Sequence, residues 1–223
     1  MGMKSGRTSA KDEAYAVLRE GILTMELSPG MVISPEETAR RLKMSRTPVR
    51  EAFLRLHEEG LLVILPQRET IVARIDPARM RQERFIRKSL ELPVLEQIIG
   101  RCRETDFEKM ISCIQEQEDC VKESRHISFI HCDMHLHRLF FEIAGQELAW
   151  EMLRRVNGHS ERFRALYLQD QSALQKASAR NRTLLCLIEE EKKGQALEHV
   201  REQIERPCPD EASLIRRYPS CFA

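Results

Sequence analysis

The sequence predicts a mainly α-helical protein: an N-terminal winged helix-turn-helix followed by an all-helical bundle. Three observations predict it. Apolar residues recur at helical spacing in three blocks between residues 11 and 59, separated by turn signals. Two β-rich runs, 61–65 and 70–75, flank Pro66-Gln67-Arg68-Glu69 and read as a hairpin. After Asp76-Pro77 no strand pattern occurs, and helical periodicity continues to residue 206.

The elements follow in order. Residues 1–10 are small and polar and are expected to form a flexible N-terminus. Ala14, Val17, Leu18, Ile22 and Leu23 mark the first helix, which stops before Leu27-Ser28-Pro29-Gly30. Ser34-Pro35-Glu36-Glu37 reads as a helix start. The Ser hydroxyl accepts a first-turn N–H, Pro lacks a donor where none is needed, and two acids face the positive end of the helix dipole. Ala39 and Leu42 give that helix an inner side, and Met44-Ser45 makes the turn, with Ser45 as the next cap. The third helix runs from Thr47 to Glu59. Val49, Ala52, Phe53 and Leu56 form its buried face, and Gly60 stops it. The winged helix-turn-helix thus spans 11–75. The helical domain spans 76–206, with helices expected near 78–101, 104–124, 126–145, 147–168, 171–193 and 194–206. The Pro- and Ser-punctuated tail, 207–223, reads as irregular.

Composition bounds the function. A 42% hydrophobic content supports packed cores, and a net charge of +1 gives no bulk attraction to nucleic acid. The charge is segregated instead: Arg40, Arg41, Lys43, Arg46, Arg50 and Arg55 face the single acid Glu51. The seven cysteines show no C-x-x-C spacing. There is no membrane-length apolar run and no secretory segment, so a cytoplasmic protein with reduced thiols is expected. No H-E-x-x-H, phosphate-binding Gly-rich loop or nucleophile elbow occurs, and no enzyme is expected.

The run Ser45-Arg46-Thr47-Pro48-Val49-Arg50-Glu51-Ala52 places two arginines and two hydroxyls at the start of the third helix, off its buried face. Such an end can sit across a phosphate backbone and reach base edges in the major groove. The plainer alternative is that these arginines only solvate a helix. Cap, turn, third helix and hairpin in sequence favour the DNA reading.

This run, with the hairpin's P-Q-R, resembles the GntR family of bacterial transcription regulators. Asp133-Met134-His135-Leu136-His137 resembles the D-x-x-[FL]-H pattern of the FCD effector domain of the FadR-like subfamily. The two resemblances cover residues 11–206. They imply a homodimer on a palindromic double-stranded DNA operator. A small effector, usually a carboxylate, enters the helical domain and alters operator affinity. Many FCD domains also hold a divalent metal through an Asp and three His. The family's DNA contacts fall on Arg46, Thr47 and Arg50 here, and chemistry agrees: Arg forks to guanine, and Ser45 or Thr47 bonds phosphate. The wing would lay Gln67 and Arg68 against the duplex, with Glu69 where the family usually has Gly.

Asp133 and His137 are i, i+4 and project together, with Ile130, Met134, Phe141 and Ala144 on or beside their face. A buried carboxylate requires a cation. Zinc, manganese, iron or nickel suits this pair, as does a protein cation in a plain ion pair. The family's last two histidine ligands fall on Asn181 and Gln203, and His199 lies one turn before Gln203. Three readings stand: a weak metal site of Asp133, His137 and His199; a metal-free effector cavity using Asp133, His137, Asn181 and Gln203; or a vestigial pocket. Arg87 either clamps an effector carboxylate or pairs with Glu91 along its helix. Arg162 and Arg164 are lesser candidates for that clamp. His131 and His135 share another face and read as non-ligands, and His126 and His159 carry no context. The expected function is an effector-responsive transcription regulator. The alternatives are a metal-dependent enzyme or a helical dimerisation protein whose winged helix no longer reads DNA.

Overall fold

The computed structural model describes residues 9–208 and 210–223. The expected flexible segment 1–10 lies outside the described residues except for its last two. Ser9 caps the first helix by accepting the Asp12 N–H, and Ala10 begins it. Two compact units form: the chain up to Asp76 together with Tyr218–Ala223, and Pro77–Arg217.

The first unit contains α1 (Ala10–Leu23), β1 (Val32–Ile33), α2 (Pro35–Leu42), α3 (Arg46–Glu58), β2 (Leu62–Ile64) and β3 (Thr70–Val72). The sheet is antiparallel in the order β1-β3-β2, with Val32 and Val63 both opposite Ile71. The hairpin therefore gains a third strand that sequence reading missed, because two residues are too short to show alternation. Leu18, Ile22, Phe53, Leu56, Leu61, Leu62 and Val72 are buried as one core. Tyr15 donates its hydroxyl to Glu59 at 2.6 Å, and Arg19 Nε lies 3.4 Å from the same carboxylate. This buried network ties α1 to the end of α3.

The second unit is a helical bundle: α4 (Pro77–Ile98), α5 (Glu104–Lys122), α6 (His126–Ile143), α7 (Glu147–Val156), α8 (Gly158–Tyr167), α9 (Gln171–Glu189), α10 (Lys193–Glu205) and α11 (Glu211–Arg217). Leu95, Ile98, Met110, Phe140, Phe141, Leu184 and Val200 are among its core residues. The single helix expected over 147–168 is instead two, broken at Asn157. The cause is tertiary. The buried Glu83 carboxylate of α4 accepts the N–H groups of Ser160 at 2.7 Å and His159 at 3.3 Å, and so supplies the cap that starts α8.

The tail is not irregular, as the sequence suggested. Asp210 accepts the Ser213 N–H at 2.8 Å and opens α11, and Leu214 is buried. After a 3-10 turn at Pro219–Cys221, the chain pairs in parallel with Ile75 of the first unit. Ile75 donates to Cys221 O at 2.8 Å, Ala223 donates to Ile75 O at 3.0 Å, and Phe222 is buried. Among the described residues no helix is long and apolar enough to cross a membrane.

Candidate functional site

The first unit presents the predicted DNA-reading residues. Lys43, left-handed at φ 54°, ends α2, and Ser45 stands at the N-cap position of α3 in extended conformation. Ser45 differs from expectation in one respect: its side chain makes no cap hydrogen bond. Its hydroxyl is therefore not committed to the first-turn N–H groups. Burial of Val49, Ala52, Phe53 and Leu56 fixes the rotation of α3 and leaves Ser45, Arg46, Thr47 and Arg50 exposed. Arg50 Nη2 donates to Glu36 Oε1 of α2 at 3.0 Å in an exposed pair. In the wing, Arg68 donates its N–H to Leu65 O at 3.1 Å and Leu65 donates to Glu69 O at 2.9 Å. Pro66 is the second residue of that turn and Gln67 the third, at φ 59°. Gln67, Arg68 and Glu69 are all exposed.

The second unit encloses a cavity, and Arg87, Asp133, His137, Asn181 and Gln203 all line it. Asp133 is fully buried and both of its oxygens are engaged. Oδ1 accepts from Asn181 Nδ2 at 2.6 Å, and Oδ2 pairs with Arg164 of α8. Burial, the largest single influence, opposes ionisation of this carboxyl, but Arg164, His137 and the Asn181 hydrogen bond together outweigh it and hold the group well below the usual carboxylate range. Asn181 Nδ2 also donates to Gln117 Oε1 at 2.9 Å.

One turn along α6, His137 Nδ1 lies 2.5 Å from Glu91 Oε1. His137 Nε2 lies 3.2 Å from Arg87 Nη2. A guanidinium only donates, so Nε2 accepts and the ring proton sits on Nδ1, toward Glu91. Arg87 Nε donates to Glu91 Oε2 at 2.7 Å. Arg87 therefore pairs with Glu91, as one of its two readings had it, and also lines the cavity. Burial of Glu91 pushes its carboxyl up, and Arg87 and His137 together more than offset this, bringing it to about 2.

These residues do not fit a divalent metal, which tells against the first of the three readings, the weak site of Asp133, His137 and His199. Guanidinium groups hold the Asp133 carboxylate and the lone pair of His137 Nε2. His199 Nε2 faces the Arg180 carbonyl at 2.9 Å and so carries a proton there. It lines an adjoining groove with Glu202 and Arg206, which shares Arg180 and Gln203 with the cavity. Among the described residues no three His, Cys, Asp or Glu side chains are placed to hold a metal.

Arg164 proves central, while the fully buried Arg162 turns back to donate to Gly158 O at 3.2 Å. Sequence reading missed Arg84, Asn157, Lys176 and Arg180, which also line the cavity. A signal existed for two of them: Lys176 and Arg180 are i, i+4 and lead directly into Asn181. His135 is exposed, with Nδ1 3.6 Å from Cys113 Sγ, and plays no part in the cavity.

Comparison with known proteins adds the family. The model for bacterial regulatory proteins of the gntR family matches residues 10–72, and that for the FCD domain matches residues 84–206. A transcriptional regulator of Streptomyces ambofaciens, described as lying in an unstable DNA locus, is 32% identical over 178 residues, covering 76% of this chain and 71% of that protein. The transcriptional repressor RspR of Escherichia coli K12 is 31% identical over 152 residues, covering 68% and 67%. Among solved structures, E. coli McbR/YncC shares the fold at TM-score 0.81 and 18% identity, covering 95% of this chain and all of the other. A GntR regulator of Rhodococcus sp. RHA1 does so at TM-score 0.79 and 17% identity, with coverage of 95% and 100%.

Proposed function

The chain belongs to the GntR family of bacterial transcription regulators and carries an FCD domain, and from that premise we propose that a small carboxylate metabolite bound in its helical unit sets its affinity for an operator. The family's known members are DNA-binding regulators, not enzymes, and so is this protein. The observation that carries the effector reading is the cavity itself. Arg87, Asp133, His137, Asn181 and Gln203 come from α4, α6, α9 and α10 and converge on one space, with Arg164 from α8. A ligand touching that many helices alters their relative packing, which gives it the differential affinity that any allosteric effect requires.

At the DNA end, the open N-terminus of α3 suits a phosphate. Arg46 and Arg50 suit base edges, with Ser45 and Thr47 on the backbone and Gln67 and Arg68 in the wing. The functional molecule is a homodimer. Phe85 of α4 is 67% exposed, and Leu148 and Met152 of α7 are 76% and 61% exposed. Apolar side chains this bare on helices that pack together call for a second copy on the same face, in an isologous interface.

The test is fluorescence anisotropy on a duplex selected by this protein from a randomised pool. Binding should weaken steeply as salt rises, and a panel of small carboxylates should contain at least one that shifts the affinity. A protein with salt-independent or no duplex binding refutes the DNA assignments. Carboxylates that bind the protein without moving operator affinity refute the regulation.

A further inference from the structure

The cavity carries more positive charge than its own chain neutralises. Arg164 is answered by Asp133, and Arg87 by Glu91. Lys176 and Arg180, one turn apart on α9, line the cavity with no ion-pair partner among the described residues. Arg84 of α4 is answered only in part. Its Nη1 lies 2.9 Å from Glu211 of α11, while Nε and Nη2 are buried without a hydrogen-bond partner. Nε and Nη2 form one edge of the guanidinium, the edge that takes a carboxylate through two parallel hydrogen bonds. Buried donors left unmade cost free energy, so a vacant edge beside a cavity points to a ligand. A second such atom is Asn157 Oδ1, buried and unpartnered in a residue 5% exposed that lines the same space.

We propose that this cavity is a metal-independent receptor for a small dicarboxylate, with one carboxylate on the free edge of Arg84 and the other drawn to Lys176 and Arg180. The proposal rests on the effector reading above and sharpens it by naming the ligand's charge and size. Protein guanidiniums stand where a metal-using site would place its cation. Arg164 and Arg87 keep Asp133 and His137 occupied, so the ligand meets nitrogen donors and no Lewis acid. Size follows from the space: about 60 Å³ is open to the centres of water-sized groups. One water takes roughly 10–15 Å³ on that measure, so the space holds about four to six water-sized groups, which suits a short dicarboxylate with part of it toward the opening and not a large metabolite. Asn157 Oδ1 accepts from a water that bridges it to the ligand, since an ionised dicarboxylate brings no donor of its own.

The experiment is calorimetry on the full-length protein, without DNA, in buffer containing EDTA. The probes are succinate, butyrate as a monocarboxylate of equal length, and inorganic phosphate. Succinate should bind at least about tenfold tighter than butyrate or phosphate, because only it engages both cationic groups. Arg84→Lys keeps a charge opposite Glu211 but removes the fork, and should weaken succinate about tenfold. Lys176→Gln and Arg180→Gln alter partly exposed side chains and should bring succinate down to the level of butyrate. Equal binding of succinate and butyrate overturns the proposal, as do tighter binding of phosphate, loss of binding in EDTA with recovery on adding zinc, or no binding of any probe. None of these results depends on whether the ligand moves operator affinity, so a failed regulation test and a failed ligand assignment are separable.

Discussion

Arg164 of α8 pairs with Oδ2 of the Asp133 carboxylate of α6, while Asn181 of α9 donates to its Oδ1. Three helices are thereby tied to one carboxylate. The pair is asymmetric: the Asp133 side chain is 1% exposed and that of Arg164 is 21% exposed. Stranding the deeper partner is the costlier change. Arg164→Met leaves a buried charge and should destabilise the protein by about 3–5 kcal/mol. Asp133→Asn leaves Arg164 with some solvent and should cost less, about 1–3 kcal/mol. Adding Asp133→Asn to Arg164→Met should restore part of the loss in urea unfolding. A double variant no more stable than Arg164→Met would show that the ion pair is not what holds this corner.

Acid should loosen the same region in a defined window. The folded carboxyl of Glu91 is held at about 2 despite its burial, because Arg87 and His137 sit against it. A depressed carboxylate adds stability that is complete above its unfolded value near 4.5 and is lost as pH falls toward 2. Glu83 works in the opposite sense. Burial raises its carboxyl, so its contribution is larger in acid and declines as pH rises. Glu91→Gln should therefore flatten the fall in unfolding free energy between about pH 4.5 and 2, measured by urea titration at each pH. An unchanged acid limb would place the responsible group elsewhere.

Much of this was legible in sequence, for physical reasons that also mark where it stopped. Ser34-Pro35-Glu36-Glu37 announces a helix start through local chemistry alone, and Ser34 does accept the Glu37 N–H at 3.1 Å. The i, i+4 spacing of Asp133 and His137 fixes their common direction, and both are buried. The break at Asn157 was invisible because its cap comes from Glu83, some 75 residues earlier in sequence. Arg164 looked minor for the same reason: its partner Asp133 lies two helices away, and no periodicity links them. Arg84, Lys176 and Arg180 escaped because a solvated arginine and a cavity arginine read alike until the helices close around a space.

The exposed pair of Arg50 and Glu36 leaves the arginine proposed to read DNA available rather than locked. Exposed ion pairs contribute little, because solvent screens them, so Arg50 can leave Glu36 for a guanine edge. Arg50→Ala should lower operator affinity by about 1–3 kcal/mol and relax sequence preference at one base position. Glu36→Gln should do the reverse: it frees Arg50, removes a negative charge near phosphate and tightens binding at low salt. Anisotropy titrations on matched and single-mismatch duplexes measure both effects, and a Glu36→Gln variant that binds more weakly would mean that the pair presents Arg50 instead of restraining it.

Phe222 is buried where it pairs with Ile75 just beyond the wing. The segment is held there by its side chain and by the Ile75 N–H to Cys221 O and Ala223 N–H to Ile75 O bonds. Phe222→Ala removes the apolar anchor. The cost should fall in the roughly 3–5 kcal/mol typical of a buried Phe. Hydrogen exchange gives the sharper reading. The Ile75 amide should lose protection in Phe222→Ala, while the Val72 amide, bonded to Met31 O at 2.9 Å within the sheet region, keeps its own. If Ile75 stays protected, the two backbone bonds hold the tail without the aromatic ring, and Phe222 is a passenger in the pairing.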